Sequence, residues 1–311
     1  MSSHFVLYLF LITIFHCFFF SNSHLKILLP TQLRRISSSV NCPAPDSSLY
    51  YQPVIGILSH PGDGASGRLS NATDASYLAA SYVKFVEAGG ARVVPLIYTE
   101  PWEILLKKVL EKNDAGDYFP LYATCLGFEL ITMIVSEDND ILEDFAAENQ
   151  ASSLQFVENV NIKESVFQRF PPDLLKKLST DCIVMQNHQY GISPVKLLGN
   201  QKLSSFFEIL TTSNDQDDKV YVSTVRSRNY PVTGFQWHPE KNAFEWGSPS
   251  IPHTEDAIRT TQYAANYLVS EARKSLNRPV AQELLDNLIY NYRPTYCGYA
   301  GKGFDEVYIF E

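Results

Sequence analysis

The stretch Leu121-Tyr122-Ala123-Thr124-Cys125-Leu126-Gly127-Phe128-Glu129 places a cysteine where an apolar strand pattern changes to a helical one. A sharp strand–turn–helix lifts a nucleophile clear of a sheet, and Gly127 is expected to give the turn room. A helix N-terminus also offers free N–H groups and the positive end of a dipole, which stabilise a thiolate and a developing oxyanion. An isolated cysteine more often ends a strand as a small buried apolar residue, so the chemical reading depends on a base. Gly234-Phe235-Gln236-Trp237-His238-Pro239-Glu240 offers one. His238 falls at the carboxyl end of a strand, the edge where sites assemble in open parallel sheets. Glu240, two residues on, is placed to accept the other imidazole N–H and fix its tautomer. A His–x–Glu triplet alone usually does no more than cap a loop. Joined to a cysteine at a strand–helix junction, it points to acyl transfer by a thiol.

Such a site needs a sheet that delivers both groups to one edge. Pro53-Val54-Ile55-Gly56-Ile57-Leu58 reads as a strand buried on both faces. Asp74 to Ala88 reads as a helix, with Tyr77, Leu78, Tyr82, Phe85 and Val86 at helical spacing and Gly89-Gly90 as its stop. Arg92 to Ile97 is the next strand, which completes a βαβ unit and predicts a parallel sheet covered by helices. Glu103–Lys112 and Phe128–Val135 read as helices around a strand at Phe119–Thr124. Later strands are expected at Cys182–Met185, Phe206–Leu210, Val220–Thr224 and Val232–Trp237, and a long amphipathic helix at Glu255–Leu276. This is an α/β domain with more β-character in its second half.

The 311 residues are 45% hydrophobic and 19% charged, which provides a large core and excludes a disordered tail protein. A net charge of −9 without Lys/Arg clusters argues against nucleic acid. Five cysteines are too few for a disulfide scaffold. Phe5 to Phe20 is almost wholly apolar and shorter than a bilayer span, so it reads as a secretory signal peptide cleaved within Ser21–Ser39, although no Lys or Arg precedes it. The competing reading is an uncleaved anchor. After cleavage no membrane association is expected. Asn71-Ala72-Thr73 is then an N-glycosylation sequon. The domain organisation reads 1–24 signal peptide, 25–51 Ser/Pro-rich linker or pro-region, and 52–311 a single domain.

The motifs Tyr-x-x-Cys-Leu-Gly-Phe-Glu at 122–129 and Gln-Trp-His-Pro-Glu-Lys at 236–241 resemble the class I glutamine amidotransferase superfamily. Within it the chain resembles the γ-glutamyl hydrolases, folate poly-γ-glutamate hydrolases, and the plant enzymes above all. Pro53–Ser59, Asn187-His188-Gln189-Tyr190-Gly191-Ile192-Ser193, Phe235–Trp246 and Asn291–Gly303 add to the likeness, which spans Pro53 to Glu311. The resemblance implies a flavodoxin-like, mostly parallel central sheet flanked by helices. It implies Cys125 as nucleophile, His238 as general base and acid, Glu240 as its orienting carboxylate and the Leu126 N–H as one oxyanion donor. It implies His188 in substrate handling beside the cysteine, and no cofactor or metal. A polyanionic substrate also needs basic groups at the cleft. Arg68 and Lys241 are candidates, with Lys241 more in keeping with a solvated surface charge. Family members are often dimers, which leaves a homodimer open. The vacuole and the extracellular space or cell wall share the same entry signal.

One departure matters. Family members carry, before the nucleophile strand, a central strand that ends in a Pro-Gly-Gly or Thr-Gly-Gly turn supplying the second oxyanion N–H. Here Glu100 to Lys108 runs straight into Val109–Asn113 with no Gly-Gly. The expectation is a chain that lacks one strand and one oxyanion donor. It would then be a catalytically impaired hydrolase or, alternatively, a non-catalytic binder of polyglutamate. The glutaminase half of an ammonia-channelling enzyme is disfavoured by the signal peptide.

Overall fold

A computed structural model describes residues 44–72, 74–97, 102–297 and 304–311. The leader and most of the linker, Thr73 of the sequon, and Gly298–Gly303 lie outside them. The first ordered strand, β1 (Val54–Leu58), is followed by a two-residue strand β2 (His60–Pro61), then β3 (Ser76–Ala79) and helix α1 (Ala80–Ala88). The helix expected from Asp74 therefore begins six residues later. Its first predicted turns are extended because Ser76–Ala79 pairs on one edge with β2 and on the other with the C-terminal strand at 306–310. Tertiary pairing overrides a helical spacing that local sequence alone supports. Gly90 at φ 90° supports the turn into β4 (Arg92–Leu96), which runs parallel to β1.

α2 (Trp102–Asp114) leads to β5 (Leu121–Thr124) and helix α3 (Leu126–Ser136). Next come a ten-residue strand with no counterpart in the sequence reading, β6 (Glu143–Ser152), the short β7 (Gln155–Phe156) and α4 (Pro172–Thr180). β8 (Val184–Gly191), α5 (Pro194–Gly199), α6 (Gln201–Phe206), β9 (Phe207–Asn214), β10 (Val220–Ser227) and β11 (Val232–Phe235) continue the chain. A short helix α7 (Lys241–Phe244) precedes α8 (Glu255–Ala272), α9 (Ala281–Asn287), β12 (Thr295–Tyr296) and β13 (Glu306–Phe310). No helix among the described residues is long and apolar enough to cross a membrane.

Parallel pairing is found at β1–β4 and at β5–β11. The sheet that carries β5 runs β5-β11-β10-β9-β7, and beyond β11 its pairs are antiparallel. β6 and β8 form an antiparallel pair of their own, and β12-β13-β3-β2 form a third small sheet. The main core joins α1, α4 and α8 to Phe235 and Trp237, both essentially inaccessible. Burying aromatic and aliphatic side chains of this kind contributes about 1.5–3 kcal/mol each.

Close packing fixes α3 against the sheet. A Cβ at Gly234 would stand 2.6 Å from Phe128 Cδ2 and 2.9 Å from Val225 Cγ2. The absence of a side chain on β11 is what lets α3 lie that near the sheet.

Candidate active site

Cys125 leaves β5 and caps α3 in one step, with φ 51° and ψ −110°. A side chain with a Cβ is strained at positive φ, and the strain is held by two backbone hydrogen bonds. The Cys125 N–H donates to the Phe235 carbonyl at 2.7 Å, and the Glu129 N–H donates to the Cys125 carbonyl at 3.0 Å. The conformational burden of the turn thus falls on the cysteine itself. Gly127 has no positive φ, and a Cβ there would meet only Ala123 Cβ at 3.7 Å, ordinary contact. The room that the sequence reading assigned to Gly127 is not required of it.

The sulfur lies 3.9 Å from the Asn187 carbonyl, a contact a protonated thiol makes as donor. Desolvation pushes the Cys125 thiol up, and the carboxylates of Glu129 and Glu240 push it further, against the Leu126 N–H and the Lys241 ammonium. The resting group is therefore a neutral thiol. The sequence reading expected the helix terminus to stabilise a thiolate, and the Leu126 N–H does act in that sense, but burial and two carboxylates outweigh it. Leu126, 41% exposed, sits at the first turn of α3, and its N–H faces the Cys125 sulfur.

β11 leads to His238. Thr124 on β5 and Phe235 on β11 are register partners, so Cys125 and the run Gln236-Trp237-His238 leave neighbouring parallel strands at the same end. His238 is then pinned by its N–H to the Met185 carbonyl of β8 at 2.8 Å. Its Nδ1 stands 2.8 Å from Glu240 Oε1, and Glu240 is wholly buried. A carboxylate accepts, so Nδ1 carries the proton and Nε2 presents a lone pair. Nε2 is buried without a partner among the described residues. Burial alone would raise the Glu240 carboxyl, but the His238 imidazole beside it, helped by Lys241, holds it below its ordinary value. The Tyr82 hydroxyl of α1 stands 3.3 Å from the same Nδ1 and also hydrogen-bonds Glu240.

His188 sits on β8 next to Asn187, whose carbonyl meets the sulfur. Its Nδ1–H donates to the Tyr190 carbonyl at 2.8 Å, and its ring packs edge-on against Tyr221. Burial lowers the imidazole to about 4, so it is neutral and its Nε2 also presents an unpartnered lone pair. Glu129, in the first turn of α3, accepts from Gln236 Nε2 at 3.0 Å and is raised to about 6 by burial.

The two candidate cations are placed differently. Arg68 is exposed on a loop organised by Asp63, whose carboxylate accepts the N–H groups of Ala65, Gly67, Leu69 and Ser70. Lys241 is only 4% exposed, with its ammonium 4.9 Å from the centroid of Phe304. The expected solvated surface charge is instead a buried cation near Glu240 and Glu245; it helps hold Glu240 down and only partly offsets the burial that raises Glu245. Cys182 and Cys297 are free thiols, Cys182 exposed and Cys297 buried; Cys42 lies outside the described residues. Asn71 is exposed. Tyr82, Asn187 and Gln236 were not singled out by the sequence reading, because each looks like ordinary helix or strand content until the chain is folded.

The arrangement is a thiol on a strained turn, a buried imidazole whose free nitrogen accepts, a carboxylate fixing that tautomer, and an N–H at a helix start. It suits attack on a carbonyl followed by hydrolysis. A family model described as "Glutamine amidotransferase class-I" matches residues 105–253. Gamma-glutamyl hydrolase 2 of Arabidopsis thaliana is 65% identical over 91% of this chain and 90% of its own length. Gamma-glutamyl hydrolase of Glycine max is 56% identical over 97% of each chain, and the Mus musculus enzyme of that name 34% identical over 84% and 90%. The first of these alignments has 314 positions, about 30 more than the 91% of 311 residues it covers here. That relative therefore carries about that many residues with no counterpart in this chain. The family match begins inside α2, leaving β1, α1 and β4 outside it. On sequence identity over nearly the whole length of several relatives, the chain belongs to the gamma-glutamyl hydrolase family.

Proposed function

We propose that this chain is a thiol hydrolase of γ-glutamyl isopeptide bonds, with folate poly-γ-glutamates as its substrates. The observation that carries the reading is the buried His238–Glu240 pair, delivered beside Cys125 by the β5–β11 register. His238 Nε2 takes the Cys125 proton as the sulfur attacks the γ-carbonyl. The oxyanion rests on the Leu126 N–H, and the imidazolium passes its proton to the departing glutamate nitrogen. Water activated by the same nitrogen then opens the thioester and frees the enzyme. Because burial raises the Cys125 thiol, proton removal by His238 and attack by sulfur are coupled. Arg68 and the neutral acceptor of His188 are assigned to substrate handling. No cofactor enters the scheme.

The apolar leader and the sequon at Asn71 support entry to the secretory pathway, with the vacuole or the extracellular space as destination. A homodimer is the assembly favoured by the family resemblance. A second reading, an impaired hydrolase or polyglutamate binder, is favoured by one observation: β5 has no strand partner on its outer edge among the described residues. Losing one of two oxyanion donors lowers turnover by about 10²–10³-fold. Diazo-oxo-norleucine, a glutamine-like electrophile, tests the scheme. Stoichiometric labelling of Cys125, absent in Cys125→Ser, is expected. A chain that binds pteroyl-polyglutamate but leaves Cys125 unlabelled would be the non-catalytic binder.

A further inference from the structure

The loop between β2 and β3 is built around one buried carboxylate. Asp63 is 3% exposed. Its Oδ1 accepts the N–H groups of Ala65 and Gly67 at 2.9 Å each, and its Oδ2 accepts those of Leu69 at 2.7 Å and Ser70 at 3.1 Å. Burial pushes the Asp63 carboxyl up, but the four donors outweigh it and hold it well below the usual carboxylate range. Ser66, inside this loop, takes φ 58°, a conformation that persists only where the surroundings over-determine it and that gathers at functional sites. The base of the loop is seated firmly. Ala65 is buried and Leu69 half-buried in one cluster with Tyr77, Phe304 and Val307. A Cβ at Gly64 would stand 2.9 Å from Val307 Cγ1 and 3.0 Å from Tyr77 Cδ2. Ser70 Oγ donates to Glu311 Oε1 at 2.6 Å and ties down the far end. The tip, Ser66-Gly67-Arg68, is exposed.

The same wall of side chains reaches the catalytic carboxylate. The Tyr77 ring lies 5.9 Å from that of Phe304, which covers the Lys241 ammonium, and Lys241 follows Glu240 in the chain. Five residues after Tyr77, in the first turn of α1, Tyr82 meets His238. Of the cations on this wall, Lys84 is tied to Glu306 and Lys241 is buried, whereas Arg68 is exposed at the loop tip. A γ-linked glutamate chain carries an α-carboxylate on every residue, and a guanidinium takes a carboxylate through a fork of two hydrogen bonds. A fork held on a stiff loop gives up little freedom when it binds.

We propose that Asp63 is a positioning residue, which sets the 62–70 loop so that Arg68 takes α-carboxylates of the glutamate tail beside the site. Asp63 touches neither ligand nor reacting atoms; its effect is selectivity for a long tail. The choice of ligand rests on the hydrolase reading, whereas the architecture of the loop does not.

The test uses the full chain carrying Cys125→Ser, which forms no thioester, and measures affinity by titration calorimetry for pteroyl-pentaglutamate and pteroyl-monoglutamate. Adding Arg68→Ala is expected to weaken the pentaglutamate about 10-fold, the lower end for a hydrogen bond to a charged group because the arginine is exposed, and the monoglutamate by less than about twofold. Arg68→Lys keeps the charge and loses the fork, so a loss of about threefold is expected. Asp63→Asn is expected to reproduce the pentaglutamate-selective loss. Combined with Arg68→Ala it is expected to change affinity by less than about twofold more, since it acts through the arginine. If Asp63→Asn does not fold, Gly67→Pro takes its place: proline can neither adopt φ 76° nor give an N–H to Asp63, and no atom lies within 4 Å of a Cβ there. Equal weakening of both ligands, a loop variant within about twofold of the parent for the pentaglutamate, or losses that multiply in the combined variant would overturn the proposal. So would a Cys125→Ser chain that binds no pentaglutamate; labelling of the unsubstituted chain at Cys125 by diazo-oxo-norleucine would then leave the thiol chemistry standing alone. Tail-selective binding by a chain that releases no glutamate keeps the positioning role and removes the hydrolase reading.

Discussion

Replacing Glu240 by glutamine tests how the imidazole is held. The carboxylate is wholly buried and accepts the His238 Nδ1–H at 2.8 Å, so no water stands ready to replace it. Glutamine keeps the shape and one acceptor oxygen but not the charge that steadies an imidazolium. A hydrogen bond to a charged group contributes about 1.5–3 kcal/mol, which corresponds to about 10–150-fold in rate. Complete burial puts the expected loss in the upper part of that range. The assay is the second-order rate of Cys125 alkylation by diazo-oxo-norleucine, measured from pH 5 to 8 and normalised to the folded fraction from circular dichroism. The expected result is a loss of about 30-fold or more, in the upper part of the range given above. A variant that reacts within about threefold of the parent refutes the orienting role.

Other substitutions probe the supports of the site. Gly234→Ala drives a methyl group into Phe128 and Val225, and a loss of about 1–3 kcal/mol is expected in urea unfolding; an unchanged midpoint would mean α3 is not seated by that contact. Glu245, raised to about 7 by burial, stabilises the fold fully below its ordinary value near 4.5, and that stability is lost as pH rises through 7. Glu245→Gln should therefore gain stability relative to the parent between pH 5 and 8, by at most about 3 kcal/mol, and a flat difference would contradict the burial. His188, lowered to about 4, contributes the opposite slope: its neutral form is favoured by folding above about 6.5, and that stability is lost as pH falls toward 4. His188→Gln should flatten this acid limb in thermal melts across pH 4–7.

Legibility in the sequence followed the range of the interactions. Cys125 and the His238–Glu240 pair could be read because a strand–helix junction and a strand-end triplet are local patterns, and both elements stand where the pattern put them. The start of α1 was misread because Ser76–Ala79 has helical spacing, and only its partner β13, more than 200 residues away in sequence, makes it a strand. β6 was invisible for a related reason: Glu143–Ser152 lacks a clean alternation, since register shifts break its pairing with β8 twice. Lys241 shows a further limit. Charge predicts a solvated side chain, yet the Phe304 ring and two carboxylates enclose it. The room for the turn was assigned to Gly127 although Cys125 takes the positive φ, because sequence shows which residue tolerates positive φ and not which one adopts it. The expectation of a lost strand came from the absent Gly-Gly, and in the structure β5 has no strand on its outer edge among the described residues.

The central claim is that the Cys125 sulfur becomes acylated through its γ-carbonyl attack, with His238 as base. Peptide mapping of a reaction with pteroyl-polyglutamate, quenched in acid during turnover, tests it directly. The account predicts a γ-glutamyl thioester mass on the peptide containing Cys125, lost in Cys125→Ser and strongly diminished in His238→Ala. Glutamate release that persists in Cys125→Ser, or an acyl mass found on Cys182 or Cys297 instead, would contradict it.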